Sequence, residues 1–179
     1  MEDLIRDGGY LAYVILFLYS FGGGFVGLVI AGVLSYAGDL NLVVCMIVAG
    51  SSNFLGDQFL FYMARTNKNY ARDTMKKYGR KVALAHIWMR RYGSPVVFLQ
   101  KYVYGIKTLI PLAMGLTKYS FQKFTVYNAL ATVLWAVVVG SISYSLGEIV
   151  LTYAEEYKYY GVAIILMIVL GVTYYLKKI

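Results

Sequence analysis

The amino-acid sequence predicts an all-α membrane protein: a helical bundle with one or two re-entrant hairpins. Three observations carry this. First, 60% of the 179 residues are hydrophobic and 17% aromatic, whereas a soluble domain is nearer ~45–50% apolar. Second, several apolar runs reach the ~20 residues that a helix needs to cross a bilayer. Third, charge is unevenly placed. Nine of the 17 basic residues fall between Arg65 and Arg91, with Asp73 the only acid among them. A basic block beside membrane spans marks the cytoplasmic side, so the net charge of +8 calls for no nucleic-acid partner.

The elements follow in order within one transmembrane domain, 1–179. The N-terminus "MEDLIRDGGY" is acidic and lacks the basic n-region of a cleaved signal. The first apolar segment, 10–38, is interrupted by "SFGGGF". Glycine costs about 1 kcal/mol relative to alanine in a helix. The segment is therefore one imperfect helix, two half-helices hinged at the glycines, or a small-residue packing face. Residues 40–64 read as a span, entered from outside because the basic block follows it. Within 65–92, Met75, Tyr78, Val82, Ala85 and Met89 recur at helical steps, with Lys76, Lys77, Arg80 and Lys81 on other faces. This pattern fits a basic helix on the cytoplasmic membrane surface, or charge that only sets topology. Residues 125–146 and 159–176 read as further spans, separated by the acidic stretch "GEIVLTYAEEYK".

Topology constrains 93–116. The basic block and the terminal lysines place the 65–92 segment and the C-terminus inside, and the acidic 147–157 stretch outside. Segment 93–116 then begins and ends on the cytoplasmic side, so it is a re-entrant hairpin. Irregular backbone at membrane depth survives only when buried in protein or lining a wet cavity. The side of the N-terminus stays open.

That hairpin, "LQKYVYGIKTLIPLAMG", carries Lys101 and Lys107. A lysine at mid-bilayer costs ~2.5–3.5 kcal/mol on insertion scales. On one straight helix a six-residue step turns about 240°, so the two side chains would diverge. Gly105 and Pro111 shape a turn through which they converge as an anion site. The alternative is that both snorkel to the interface. Asp57 lies eight residues before Arg65, ~12 Å along a helix, and a carboxylate at that depth needs a partner or a proton. Either lysine serves, as part of a proton-coupling device or as a structural ion pair. Asn53 shares the Asp57 face. Asn128 lies seven residues from Trp135 on another span, to line the same cavity or to hydrogen-bond between helices. The single cysteine, Cys45, reads as a small buried hydrophobe. His86 reads as an interfacial residue with no neighbour for a metal site. No metal and no cofactor is implied.

"NFLGDQFLFYMAR" (53–65), "RRYGSPVVFLQKYVYGIKTLIPLAMGLTKYSFQKFTVYNALATVLW" (90–135) and "SYSLG" (143–147) together resemble the DedA family, also called the SNARE-associated or VTT-domain family. The resemblance runs from about residue 10 to 147 and is most specific over 53–135. It implies two facing re-entrant hairpins in a bacterial cytoplasmic (inner) membrane. It also implies movement of lipids between leaflets, with undecaprenyl phosphate or phospholipid as cargo and proton coupling in some members. The family's basic pair, usually two arginines six apart, falls on Lys101 and Lys107. Lysine keeps the charge but not the bidentate fork. The family's first hairpin usually carries prolines and a carboxylate. Here "FLYSFGGGFVGLVIAG" has neither, so proton coupling would use Asp57 and Asp39 or be absent.

The leading expectation is a lipid flippase or scramblase. Lys101, Lys107, Asn53 and Asn128 would hold an anionic or zwitterionic headgroup, and Asp57 would compete for the lysines or carry a proton. The partners are then membrane lipids, with a homo-oligomer left open. Two alternatives remain: a scaffold or biogenesis factor without turnover, and a proton-coupled exporter of small molecules, which two lysines disfavour for cations. No Ser-His-Asp set or histidine cluster supports an enzyme.

Overall fold

A computed structural model describes residues 2–103 and 106–156. The expected span 159–176, the C-terminus and Gly105 lie outside the described residues. Those described form eight helices: α1 Glu2–Gly22, α2 Phe25–Tyr36, α3 Leu42–Thr66, α4 Lys68–Lys76, α5 Gly79–Tyr92, α6 Val96–Leu99, α7 Leu109–Leu116 and α8 Phe121–Glu156. They divide into two compact units, 2–53 with 134–156, and 54–133. The boundary between the units falls within α3 and within α8.

In the first unit the chain breaks at the triple glycine. Gly24 has a φ of +49°, a left-handed conformation that costs glycine little. A Cβ there would stand 2.7 Å from the Ser20 Cα. The turn lets α2 pack back on α1. Asn41 starts α3, its Oδ1 accepting from the Val44 amide at 3.1 Å. Leu16, Leu28, Ala31, Cys45, Ala49 and Trp135 form the core of this unit. Cys45 is buried as a free thiol, 3.7 Å from the Ser35 hydroxyl.

In the second unit α3 carries Phe61, which stacks on Phe124 of α8 with ring centroids 4.5 Å apart. Segment 93–116 is not a continuous helix. A short α6 leads into turns, and α7 resumes at Leu109. Pro111 sits in the first turn of α7, where its missing N–H has no intrahelical partner to lose. The far end of α7 is held by Arg65. Its guanidinium donates to the carbonyls of Gly115 at 3.4 Å, Thr117 at 2.9 Å and Tyr119 at 2.6 Å. The same guanidinium lies 4.8 Å over the Phe61 ring. One side chain thus satisfies carbonyls that a helix end leaves without partners.

Two expectations need correction. The basic 65–92 segment is two helices, broken at Lys77–Tyr78. Most of the apolar stripe is covered by protein. Met75 and Ala85 are buried, Val82 and Met89 pack on the same clusters, and α4 and α5 both pack on α7. Tyr78 leaves the stripe because it lies at the break, and it is exposed. Second, α8 extends beyond 125–146 at both ends and runs through Glu156. The acidic stretch contains no proline and only one glycine, Gly147. Its Ile, Leu, Ala and Glu residues support a helix, so its charge marks a helix end rather than a loop.

The outward faces of α3 and α8 are apolar, and polar side chains on the same helices and on the turn after α6 are buried. Ile47, Leu55, Phe59 and Tyr62 on α3, and Val126, Leu130 and Val137 on α8, are exposed, while Asn53, Asp57, Lys101, Asn128 and Thr132 are buried. Helices α3 and α8 are each long and apolar enough to cross a bilayer. Without a hydrophobic drive between helices, close approach at small residues carries the packing. At Gly115 a Cβ would run into the Phe61 carbonyl and stand 2.8 Å from the Ala64 Cβ. Gly115→Val is therefore expected to lower stability by about 1–3 kcal/mol, as overpacking does. Thermal unfolding in detergent checks this against Gly79→Ala, at a site where nothing lies within 4 Å.

Candidate functional site

Four pieces of the second unit bring polar side chains into its interior. Helix α3 supplies Asp57, and the turn after α6 supplies Gln100 and Lys101. The turn before α7 supplies Lys107, and α8 supplies Asn128 and Thr132. Asp57 is the centre. The Lys101 ammonium donates to its Oδ2 at 2.7 Å, with the lysine and aspartate side chains 0% and 2% exposed. Gln100 Nε2 donates to the same oxygen at 3.2 Å. Lys101 Nζ also lies 2.7 Å from the Thr132 hydroxyl. The Lys101 side chain therefore does not reach for the interface. Three elements hold it in a sealed ion pair.

Lys107 differs. Its Nζ is buried and has no hydrogen-bond partner among the described residues. Asp57 and Lys101 both lie close enough to act on it electrostatically. Among the described residues one carboxylate thus faces two ammonium groups, and only one of the two is bonded to it. A buried charge without a partner is costly.

Three amide oxygens share this condition among the described residues, those of Gln58, Gln100 and Asn128. Gln100 Nε2 faces a carboxylate, and Asn128 Nδ2 donates to the Phe54 carbonyl at 3.2 Å. Both partners are acceptors, so both amides must present N–H to them. Their oxygens, Gln100 Oε1 and Asn128 Oδ1, then point elsewhere, buried and unpartnered. Among the described residues, this unit therefore holds one unpartnered buried cation and three unpartnered neutral acceptors.

The remaining sequence candidates are placed as follows. Asn53 is buried one turn before Asp57 on α3 and belongs to the first unit. Pro111 is buried in α7. Lys76, Lys77 and Arg80 are exposed on α4–α5 and Lys81 is half-buried. Lys76 pairs with Asp73 at 3.0 Å on the surface, where such pairs contribute little. His86 is exposed on α5. Sequence reasoning missed Gln100, Thr132 and Arg65. Gln100 was legible as a second polar residue beside Lys101 in an apolar run. Thr132 lies four residues after Asn128, on the same face of α8. Nothing in the sequence distinguishes Arg65 from the basic residues that follow it.

Comparison with known proteins fits this architecture. The VTT domain model matches residues 8–145. The chain is 24% identical over 183 residues to the inner membrane protein YohD of Escherichia coli (strain K12), covering 99% of this chain and 94% of that protein. It is 25% identical to the undecaprenyl phosphate transporter A of Staphylococcus aureus, covering 75% of this chain and 72% of that protein. It is 23% identical to an alkaline phosphatase-like protein of Lactococcus lactis, covering 84% of this chain and 77% of that protein. No solved structure matches the chain.

The sealed pair yields a thermodynamic prediction. Asp57→Asn is expected to destabilise the protein by about 3–5 kcal/mol, because it strands the buried Lys101 ammonium, and Lys101→Met by less than that, because Lys107 is then free to pair with Asp57. The double variant is expected to lose less than either single variant. Unfolding midpoints of the four proteins in one detergent give the coupling; additive losses would contradict a direct pair.

Proposed function

The chain belongs to the VTT-domain family, and from that premise we propose that it is a membrane transporter that moves an anionic lipid headgroup between leaflets. The observation that carries this is the surplus positive charge beside Asp57, buried behind helices whose outward faces are apolar. An anion entering there supplies the missing counter-charge. The buried cation in turn offsets part of the headgroup's cost of leaving water. The names of two relatives, both undecaprenyl phosphate transporter A, support a lipid phosphate as cargo, and a phospholipid phosphodiester presents an anion of lower charge to the same cation.

Lysine at these positions favours a transient complex. It holds phosphate as a point charge rather than a bidentate fork, and a carrier must release what it binds. Asp57 provides the competing anion within the protein. Asn128 is a neutral group for hydrogen bonds to the headgroup. In this proposal the 65–92 segment and the C-terminus lie on the cytoplasmic side. A cationic drug as cargo is disfavoured by repulsion from the same surplus charge. Hydrolysis of the lipid phosphate is disfavoured because the lone histidine, His86, is exposed on α5, outside the Asp57 network.

The test uses purified protein in phosphatidylcholine vesicles carrying labelled undecaprenyl phosphate or labelled phosphatidylglycerol. Leaflet exchange is followed with and without a pH gradient. Lys101→Ala and Lys107→Ala are expected to slow exchange roughly 10-fold or more, the value of a charge-assisted hydrogen bond. A response to the gradient that vanishes in Asp57→Asn assigns proton coupling to that carboxylate. A folded wild-type protein that exchanges neither lipid would sink the transport proposal and favour a scaffold.

A further inference from the structure

The two lysines are equivalent in sequence and unlike in structure, and the geometry points to a division of labour between them: Lys107 contacts the ligand's anion, and Lys101 is a positioning residue that keeps Asp57 from neutralising Lys107. This rests on the transport proposal above and deepens it.

Lys101 is already committed. Its ammonium is bonded to Asp57 and lies against Thr132, and its side chain is fully enclosed. A phosphate binding to Lys101 would have to displace a carboxylate at 2.7 Å that is also held by Gln100. Lys107 has no such obstacle, since its Nζ has no partner among the described residues. The danger to Lys107 is Asp57 itself, which is near enough to act on it. With Lys101 gone, that carboxylate would be left buried and unpaired. Among the described residues, Lys107 is a cation on which that carboxylate already acts. The Asp57–Lys101 bond thus preserves the positive charge on Lys107. Thr132 and Gln100 support the bond from either side. Asn128 Oδ1 and Gln100 Oε1 remain as acceptors for a hydroxyl or ammonium donor on the bound headgroup.

This makes a rescue prediction that equal roles do not make. Lys107→Met is expected to raise the half-saturating concentration of anionic lipid for exchange roughly 10–100-fold. Lys101→Met is expected to do the same, because Asp57 then captures Lys107. Adding Asp57→Asn to Lys101→Met is expected to restore half-saturation to within about 3-fold of wild type, whatever happens to the maximal rate, since differences that small fall below one charge-assisted bond. Asp57→Asn added to Lys107→Met restores nothing. Failure of the first rescue in a protein with near-wild-type thermal stability overturns the assignment.

A second measurement needs no destabilised variant. In solid-state NMR, wild-type protein with 15Nζ-labelled lysine is reconstituted with undecaprenyl phosphate, and 15N–31P dephasing reports direct contact. The contact is expected to survive Lys101→Arg and to disappear in Lys107→Arg, which keeps the charge and removes the labelled amine. The reverse pattern, or no lysine contact in the wild type, overturns the division of labour. Exchange of anionic lipid in that same sample leaves the transport proposal standing. Its absence removes both.

Discussion

An ion pair sealed from solvent organises the interior of the second unit. Asp57 sits on a long apolar helix, and its burial is tolerable only because Lys101 and Gln100 are brought to it by a turn in the middle of 93–116. That requirement explains why the segment cannot be a plain helix. Gln100 and Lys101 must face α3 while Lys107, six residues later, also points inward. A continuous helix would send the last of these elsewhere. The short α6, the turns and the late start of α7 all follow from putting three polar side chains on one carboxylate's side of the chain.

The rest of the unit compensates for that irregularity. An interrupted helix exposes backbone groups that lipid cannot satisfy, and each must find a partner inside the protein. Arg65 closes the end of α7, and the α4–α5 pair covers its flank. The basic block that marks a membrane boundary in the sequence therefore also shields a broken helix. Its charges face outward because its apolar stripe is occupied by α7.

Much of this could be read from the sequence, and the part that could not has physical causes. The apolar helices α3 and α8, the interruption at 93–116 and the burial of charge at Asp57, Lys101 and Lys107 were legible because charge in an apolar run is costly and stands out. The difference between the two lysines was not legible. It depends on which one a distant residue, Thr132, helps to hold, and single-sequence spacing does not carry that information. The destination of the α4–α5 apolar stripe was hidden for a similar reason, since an amphipathic helix looks the same whether protein or lipid covers it. The last described helix runs on through the acidic residues to Glu156 because nothing there breaks a helix, and charge alone does not mark where a helix stops.

The attachment of α7 has a mechanical side. Arg65 fastens one end of the helix to α3 through three carbonyl bonds, while the other end leads into the turn that bears Lys107. An eight-residue helix is about 12 Å long. Pivoting on the Arg65 end through about 10° would carry its opposite end roughly 2 Å, a simple lever displacement over that length. Such a swing exceeds the tolerance of a hydrogen bond, so small rotations about a fixed fulcrum would suffice to bring the unpaired ammonium toward an anion or withdraw it.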